Sequence, residues 1–113
     1  MKAYTDLKQS KQLAEILQIE SADMWYEDVG LMIPRLGHIP KEHTNTETPC
    51  WSLAALLNII PGGQVNRMAF SNKWEAASWN DSDFEPAYYV EDYDNPVDAC
   101  VEMILKLHEL KLM

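Results

Sequence analysis

The chain has 113 residues, 47% hydrophobic and 24% charged, a composition typical of a single soluble globular domain. Eighteen acidic residues against nine basic ones give a net charge of −9, which disfavours direct binding to a nucleic-acid backbone. No stretch approaches the roughly 20 apolar residues of a membrane-spanning helix, and the N-terminus lacks the apolar segment of a secretory signal. We therefore expect one domain over residues 1–113, located in the cytoplasm, with no membrane partner.

The first element in chain order is a helix over about 6–17. Thr5 or Asp6 can cap its N-terminus, since both are residue types that accept a hydrogen bond from the first helical turn. Leu13 and Ile16 begin an apolar stripe at helical spacing. A helix this short is unstable alone, so we expect it to pack against another element.

A strand is predicted near 22–29, where aromatic and branched residues are frequent. The side chain of Met24 and that of every second residue after it should face one side of the sheet, and the side chains between them should face the other side. Gly30 interrupts the pattern, and Pro34 restricts the second arm of a strand pair to a sheet edge or a loop. The polar span 37–48 is expected to be a surface loop.

The stretch 49–60, which reads PCWSLAALLNII, carries the end signals of a helix. Thr48 is a suitable N-cap, Pro49 suits the first turn, and a Pro-Gly-Gly sequence follows the last apolar residue. From position 50 onward only Ser52 and Asn58 are polar, and a helix that is apolar on nearly all sides is expected to be buried. The cysteine and tryptophan at its start would then pack at the first turn.

Strand patterns return after this helix. Strands are predicted near 64–71, 74–80 and 87–91, the first two as an antiparallel hairpin. Asn95 and the following proline then open a last helix over 96–111. The mainly apolar helices need a partner surface, which one face of a small sheet provides. The predicted fold is an α+β two-layer domain, three helices packed on a short antiparallel sheet.

Three blocks of the sequence, LAEILQIESADMWY, PCWSLAALLNIIP and NPVDACVEMILKLHELKL, resemble a family of small uncharacterised proteins. That family is frequent in gut Bacteroides and related bacteria, often near prophages or conjugative elements. The resemblance covers somewhat under half of the chain. It implies a bacterial cytoplasmic protein associated with a mobile genetic element, and it carries no catalytic residue over to this chain.

Candidate groups for catalysis and zinc binding are incomplete in this sequence. Cys50 and Cys100 belong to no C-x-x-C pair, and we expect both to be free buried thiols rather than a disulfide or a nucleophile. A cysteine nucleophile needs a nearby base, and for Cys50 the candidates are His38 and His43 in the preceding loop. These histidines and Glu42 do not complete the four ligands of a zinc site.

A calcium loop is also incomplete. Asp81, Asp83 and Glu85 alternate as calcium ligands do, and Asp92 stands twelfth counting from Asp81. However, Pro86 occupies the sixth position, where an EF-hand loop needs glycine. We therefore expect no metal, no cofactor and no enzymatic activity.

The aromatic and acidic residues of the C-terminal half indicate a binding surface. Residues 74–105 contain no Lys or Arg, and a two-layer domain leaves one sheet face uncovered, where aromatic side chains would form a binding patch. Trp74 and Trp79 should point to opposite faces, so that one is buried and the other exposed. The predicted surface consists of Trp79, Tyr88, Tyr89, Tyr93, Asp81, Asp83, Glu91 and Asp92.

The sequence thus predicts a small non-enzymatic protein-interaction module, an accessory protein of a mobile element. Its partner would be another protein or a second copy of the chain. The alternative is an acidic nucleic-acid mimic that occupies the basic groove of a DNA-binding protein, for which binding should weaken steeply with ionic strength.

Overall fold

A computed structural model of the chain describes residues 2–27, 34–37, 47–79 and 86–113. Within these ranges the helices are α1 (Leu7–Ala14), α2 (Leu53–Ile59) and α3 (Pro96–Glu109), with a 3₁₀ turn at Ile19–Ser21. The strands are β1 (Met24–Glu27), β2 (Arg35–Leu36), β3 (Glu47–Cys50), β4 (Gly63–Arg67), β5 (Trp74–Ser78) and β6 (Tyr88–Tyr93). The α+β class and the three helices are confirmed. The described strands form two antiparallel sheets, β2-β1-β3 and β4-β5-β6, where one sheet was predicted.

Helix α1 begins at a capping box. Asp6 Oδ1 accepts from the Gln9 backbone N–H at 2.8 Å, and Gln9 Oε1 accepts from the Asp6 N–H at 3.1 Å. The helix ends at Ala14, earlier than predicted, because the backbone N–H groups of residues 16 and 17 both converge on the Leu13 carbonyl. Leu13 itself is fully buried, so α1 is held by packing as its short length requires.

The predicted helix over 49–60 is wrong in its first turn. The chain is extended through β3, which pairs antiparallel with β1, and the N-cap is Ser52, whose Oγ accepts from the Ala55 N–H at 3.2 Å. Proline disfavours a helical conformation in the residue before it, so Pro49 keeps Thr48 extended. The end of the predicted loop over 37–48 therefore belongs to a strand, and residues 38–46 lie outside the described ranges.

Helix α2 is less buried than its apolar sequence predicts. Leu56 is fully buried, whereas Ala54 and Asn58 are exposed and Leu53 and Leu57 are half-buried. The helix lies at the edge of the main core and buries one face only. Its remaining apolar surface borders a groove between α2 and the 3₁₀ turn at Ile19–Ser21.

Strand β1 shows the predicted alternation. Met24 and Tyr26 are buried in a small cluster with Cys50, and Trp25 and Glu27 are half-exposed on the opposite face. Strand β2 pairs with β1 and supplies Arg35, whose guanidinium carbon lies 5.6 Å from the centre of the Trp25 ring.

The second sheet contains the predicted hairpin of β4 and β5, extended by β6. On its inner face, Val65, Ala76 and Val90 lie side by side on adjacent strands, and this row packs against the main core. Helix α3 supplies half of the buried residues of that core. The buried residues of this helix are Pro96, Val97, Ala99, Cys100, Val101, Met103, Ile104 and Leu107. None of the helices in the described ranges is long and apolar enough to cross a membrane.

A polar network joins the N-terminal segment to the start of α3. Asp98 accepts from Lys2 Nζ at 2.8 Å, from Gln9 Nε2 at 2.7 Å and from Asn95 Nδ2 at 2.8 Å. Burial of Asp98 disfavours its charged form, but the hydrogen bonds from Lys2, Gln9 and Asn95 outweigh this and lower its pKa. The carboxylate therefore binds these partners more strongly than its neutral form does.

Substitution of Asp98 by asparagine should lower the free energy of unfolding by about 1–2 kcal/mol at pH 7, since charged hydrogen bonds are lost. Because the folded pKa lies below the unfolded value of about 3.9, this stabilisation is present above pH 4 and is lost as the pH falls through the folded pKa. Urea unfolding from pH 7 to pH 2 should therefore show the two proteins converging in acid. A constant difference down to pH 2 would contradict this assignment.

Candidate interaction surface

The face of the second sheet opposite α3 is the strongest candidate for a functional surface, and we call it the outer face. Register and strand alternation place six side chains on it, from Gln64, Asn66, Glu75, Ala77, Tyr89 and Glu91. Gln64, Ala77 and Tyr89 stand side by side in one row across the three strands. Ala77 is buried within this row, while Tyr89 keeps 52% of its surface exposed. The row thus places a small, buried alanine beside an exposed aromatic ring.

The aromatic residues of the predicted surface do not all lie on the outer face. Tyr89 lies on the outer face, whereas Tyr88 and Tyr93 are half-buried and pack against the main core. The side chains of Trp74 and Trp79 are both half-buried, so the prediction that one is buried and the other exposed is wrong. Trp79 lies just beyond the end of β5, where alternation no longer applies, and its N–H bonds to a carbonyl of the turn after α2. The Trp79 indole Nε1 is buried and has no hydrogen-bond partner among the residues that the structure describes.

The acidic part of the predicted surface lies on and beside β6. Glu91 and Asp92 are exposed, and Asp92 has a left-handed backbone with φ of 72° at a β-bulge opposite residues 74–76. Asp94, just past the strand, forms an ion pair with Lys73 Nζ. Asp81 and Asp83 lie outside the described residues.

The edge of β6 is partly covered by α3. Lys106 Nζ donates to the Tyr89 carbonyl oxygen at 3.1 Å. This lysine of α3 occupies a carbonyl oxygen of the edge strand β6 and so opposes the addition of a further strand there, which favours binding at the outer face rather than at the sheet edge.

The two thiols are packed inside the protein. Cys50 and Cys100 are free and fully buried, and Cys50 lies in β3 rather than in a helix. Cys50 Sγ lies 3.4 Å from the Thr5 carbonyl oxygen and 3.6 Å from Thr5 Oγ1. Burial raises the pKa of the Cys50 thiol, and burial raises that of Cys100 to about 12. Both groups are therefore protonated and inaccessible in the folded chain, which opposes nucleophilic chemistry.

Metal coordination is not visible in the part of the chain that the structure describes. Within it, no three His, Cys, Asp or Glu side chains come together as a metal site. The histidines at 38 and 43, Glu42 and the acids at 81–85 that were considered as ligands lie outside that part.

Two features escaped the sequence analysis. The first is a groove of about 450 Å³ between the 3₁₀ turn and α2, which depends on how these elements pack. The second is Phe70, which was assigned to a strand over 64–71. The structure ends β4 at Arg67 and places Phe70 fully exposed in the following turn. The Ser-Asn-Lys sequence after Phe70 predicts the turn of the hairpin, but the turn in the structure begins earlier, directly after Arg67.

Comparison of the chain with protein-family models, with curated protein sequences and with solved structures finds no match.

Proposed function

We propose that this chain is a small protein-interaction module that binds another protein through the outer face of its second sheet. In this proposal it acts in the bacterial cytoplasm as an accessory protein of a mobile genetic element. The observation that carries the proposal is the exposed ring of Tyr89, which stands on the outer face beside the small side chain of Ala77. Tyrosine is enriched at protein interfaces because it combines apolar contact area with a hydrogen-bonding hydroxyl.

The surroundings of Tyr89 support the same interpretation. Tyr89 is paired with Ala77 in the sheet and its carbonyl accepts from Lys106, so the backbone that carries the ring is already ordered before binding. Glu91 and Asp92 border the ring with negative charge, and the whole chain carries a net charge of −9. The outer face therefore suits a partner with an apolar contact patch bordered by basic residues.

The test uses affinity capture from the native host with the double variant Tyr89→Ala, Glu91→Lys as bait. Tyr88 is left intact, because it packs against the core and its removal would disturb the fold. The matched control is Glu109→Ala, an exposed position near the end of α3. We expect a partner that wild type and control both retain and the double variant loses. An identical partner set for all three baits, with unchanged solution mass, would refute the proposal.

Nucleic-acid mimicry is the second candidate. Every charged residue that the structure describes between positions 74 and 102 is acidic, which favours this candidate. These residues are Glu75, Glu91, Asp92, Asp94, Asp98 and Glu102. A mimic held by many ion pairs should lose affinity steeply between about 0.05 and about 0.5 M salt, whereas contact through an aromatic patch should change little. The salt dependence of the captured complex therefore distinguishes the two candidates.

A further inference from the structure

The turn between β4 and β5, residues 68–73, presents an apolar side chain that the fold does not use. Phe70 is fully exposed, and its backbone has a φ of 61°. Glycine or asparagine adopts this left-handed conformation at lower cost, and either would avoid exposing an aromatic ring. Folding alone therefore gives no reason for phenylalanine at this position, whereas a contact with another molecule does.

The turn is held in one shape by its own hydrogen bonds. Arg67 Nη2 donates to Asn72 Oδ1 at 2.7 Å, and Arg67 Nε donates to the Ser71 carbonyl at 3.4 Å. The Met68 N–H bonds to the Lys73 carbonyl at 2.8 Å. An apolar group on a rigid turn can enter a pocket with little loss of conformational freedom.

The charge beside Phe70 differs in sign from most of the chain. Within the described residues, the Arg67 guanidinium bonds only to neutral oxygen atoms, so its positive charge is not neutralised by a carboxylate. Lys73 on the other side of the turn is paired with Asp94. The turn thus combines an exposed ring with one available cation, which suits an apolar pocket bordered by acidic groups.

The groove beside α2 has this composition. Its apolar lining comes from Ala22, Ala54, Ala55 and Ile59, Ser21 and Asn58 also line it, and Glu20 and Asp23 add two carboxylates to its border. The Asp23 carboxylate accepts hydrogen bonds from Ser52 and keeps its negative charge, since these donors are neutral. Alanine side chains leave the space open, and the volume is about 450 Å³. A cavity of about 150 Å³ already holds a benzene ring, so the groove has room for a phenylalanine side chain.

We propose that two copies of the chain associate head to tail, with Phe70 of one copy in the groove of the next. Arg67 then faces Glu20 and Asp23 across the contact. Because Phe70 is fully exposed, it does not occupy the groove of its own chain. Such a contact joins two different surfaces, so one free turn and one free groove remain at the ends of a dimer. The contact does not involve Tyr89, and it is independent of the proposed function.

Sedimentation velocity on the purified chain tests the proposal at about 0.15 M salt, which screens the repulsion between two acidic copies. The variants are Phe70→Ser, which removes the ring, and Ala54→Trp, which fills the groove from an exposed position. From about 10 µM to about 1 mM protein, the wild-type mass should rise above the 13.0 kDa of one chain. Each variant alone should associate at least about 30-fold more weakly, the loss expected for a central interface residue.

The decisive measurement is the mixture of the two variants. Phe70→Ser retains an intact groove and Ala54→Trp retains an intact ring, so the mixture should form a one-to-one dimer and nothing larger. Glu109→Ala, an exposed position on α3 away from the turn and the groove, serves as a control and should associate like wild type. A wild-type mass of 13.0 kDa at the highest concentration, association unaffected by either variant, or a monomeric mixture would each overturn the proposal.

Discussion

Replacing Trp51 by alanine is expected to lower the free energy of unfolding by about 4 kcal/mol, as large-to-small changes at buried tryptophan do. Trp51 is completely buried in the main core, between the N-terminal segment and α3. Its indole Nε1 donates to Ser21 Oγ at 3.0 Å, so the substitution also removes a hydrogen bond. Since small domains are stable by only about 5–15 kcal/mol, the variant will be close to unfolding. Urea denaturation followed by far-ultraviolet circular dichroism measures the loss.

The control for this prediction is Trp51→Phe. Phenylalanine keeps an aromatic ring in the core but lacks the N–H donor, so the expected loss is about 2 kcal/mol. The alanine variant should therefore be clearly less stable than the phenylalanine variant. Equal stabilities of the two variants would show that the volume of the indole does not matter, which contradicts its complete burial.

Replacing Gly62 by alanine should destabilise the fold by about 3 kcal/mol or more, for two reasons. Gly62 has a φ of 56°, which L-residues adopt at a cost. In addition, an added Cβ would lie 2.3 Å from the Trp79 carbonyl oxygen, a backbone atom directly after β5 that cannot move away easily. The added methyl group would therefore push the turn after α2 away from the end of β5. Thermal and urea unfolding of the variant measure the effect.

Gly37 provides the matched control. Its φ is 102°, but an added Cβ would meet no atom of the described residues within 4 Å. Gly37→Ala therefore tests the backbone conformation alone and should cost about 1–2 kcal/mol. If the two alanine variants lose the same stability, the close approach of Gly62 to Trp79 is not significant in solution.

The elements that the sequence predicted well are those governed by local interactions. Asn95 accepts from the Asp98 N–H at 2.8 Å, and Pro96 follows at the first helical position, so the start of α3 is determined by adjacent residues. The capping box at Asp6 is equally local. The hairpin of β4 and β5 follows from alternating side chains and a short turn.

Strand β3 could not be derived in this way, because its stability comes from distant partners. The Thr5 N–H bonds to the Trp51 carbonyl at 2.9 Å, and Trp25 pairs with Pro49. Both partners are more than twenty residues away along the chain. Local end signals around Pro49 favour a helix, and only the docked N-terminal segment and β1 make the extended conformation the better one.

Of the residues on the outer face, the sequence analysis predicted only Tyr89 and Glu91 as part of the surface, and it missed the four from Gln64, Asn66, Glu75 and Ala77. Tyr88 and Tyr89 are adjacent and chemically identical, yet strand alternation places one against the core and the other on the outer face. The groove beside α2 has no counterpart in any contiguous stretch, because it forms where residues 20–23 pack beside residues 54–59.

The sequence by itself determined the α+β class, the three helices, the hairpin and the acidic character of the region around β6. Each of these depends on composition, on hydrogen bonds between residues three or four apart, or on side-chain periodicity. Only the tertiary structure decided that the strands form two sheets, that Tyr89 is the exposed tyrosine and that Phe70 projects from a turn. These features depend on contacts between residues far apart in the chain. A local sequence pattern does not indicate the free energies of such contacts.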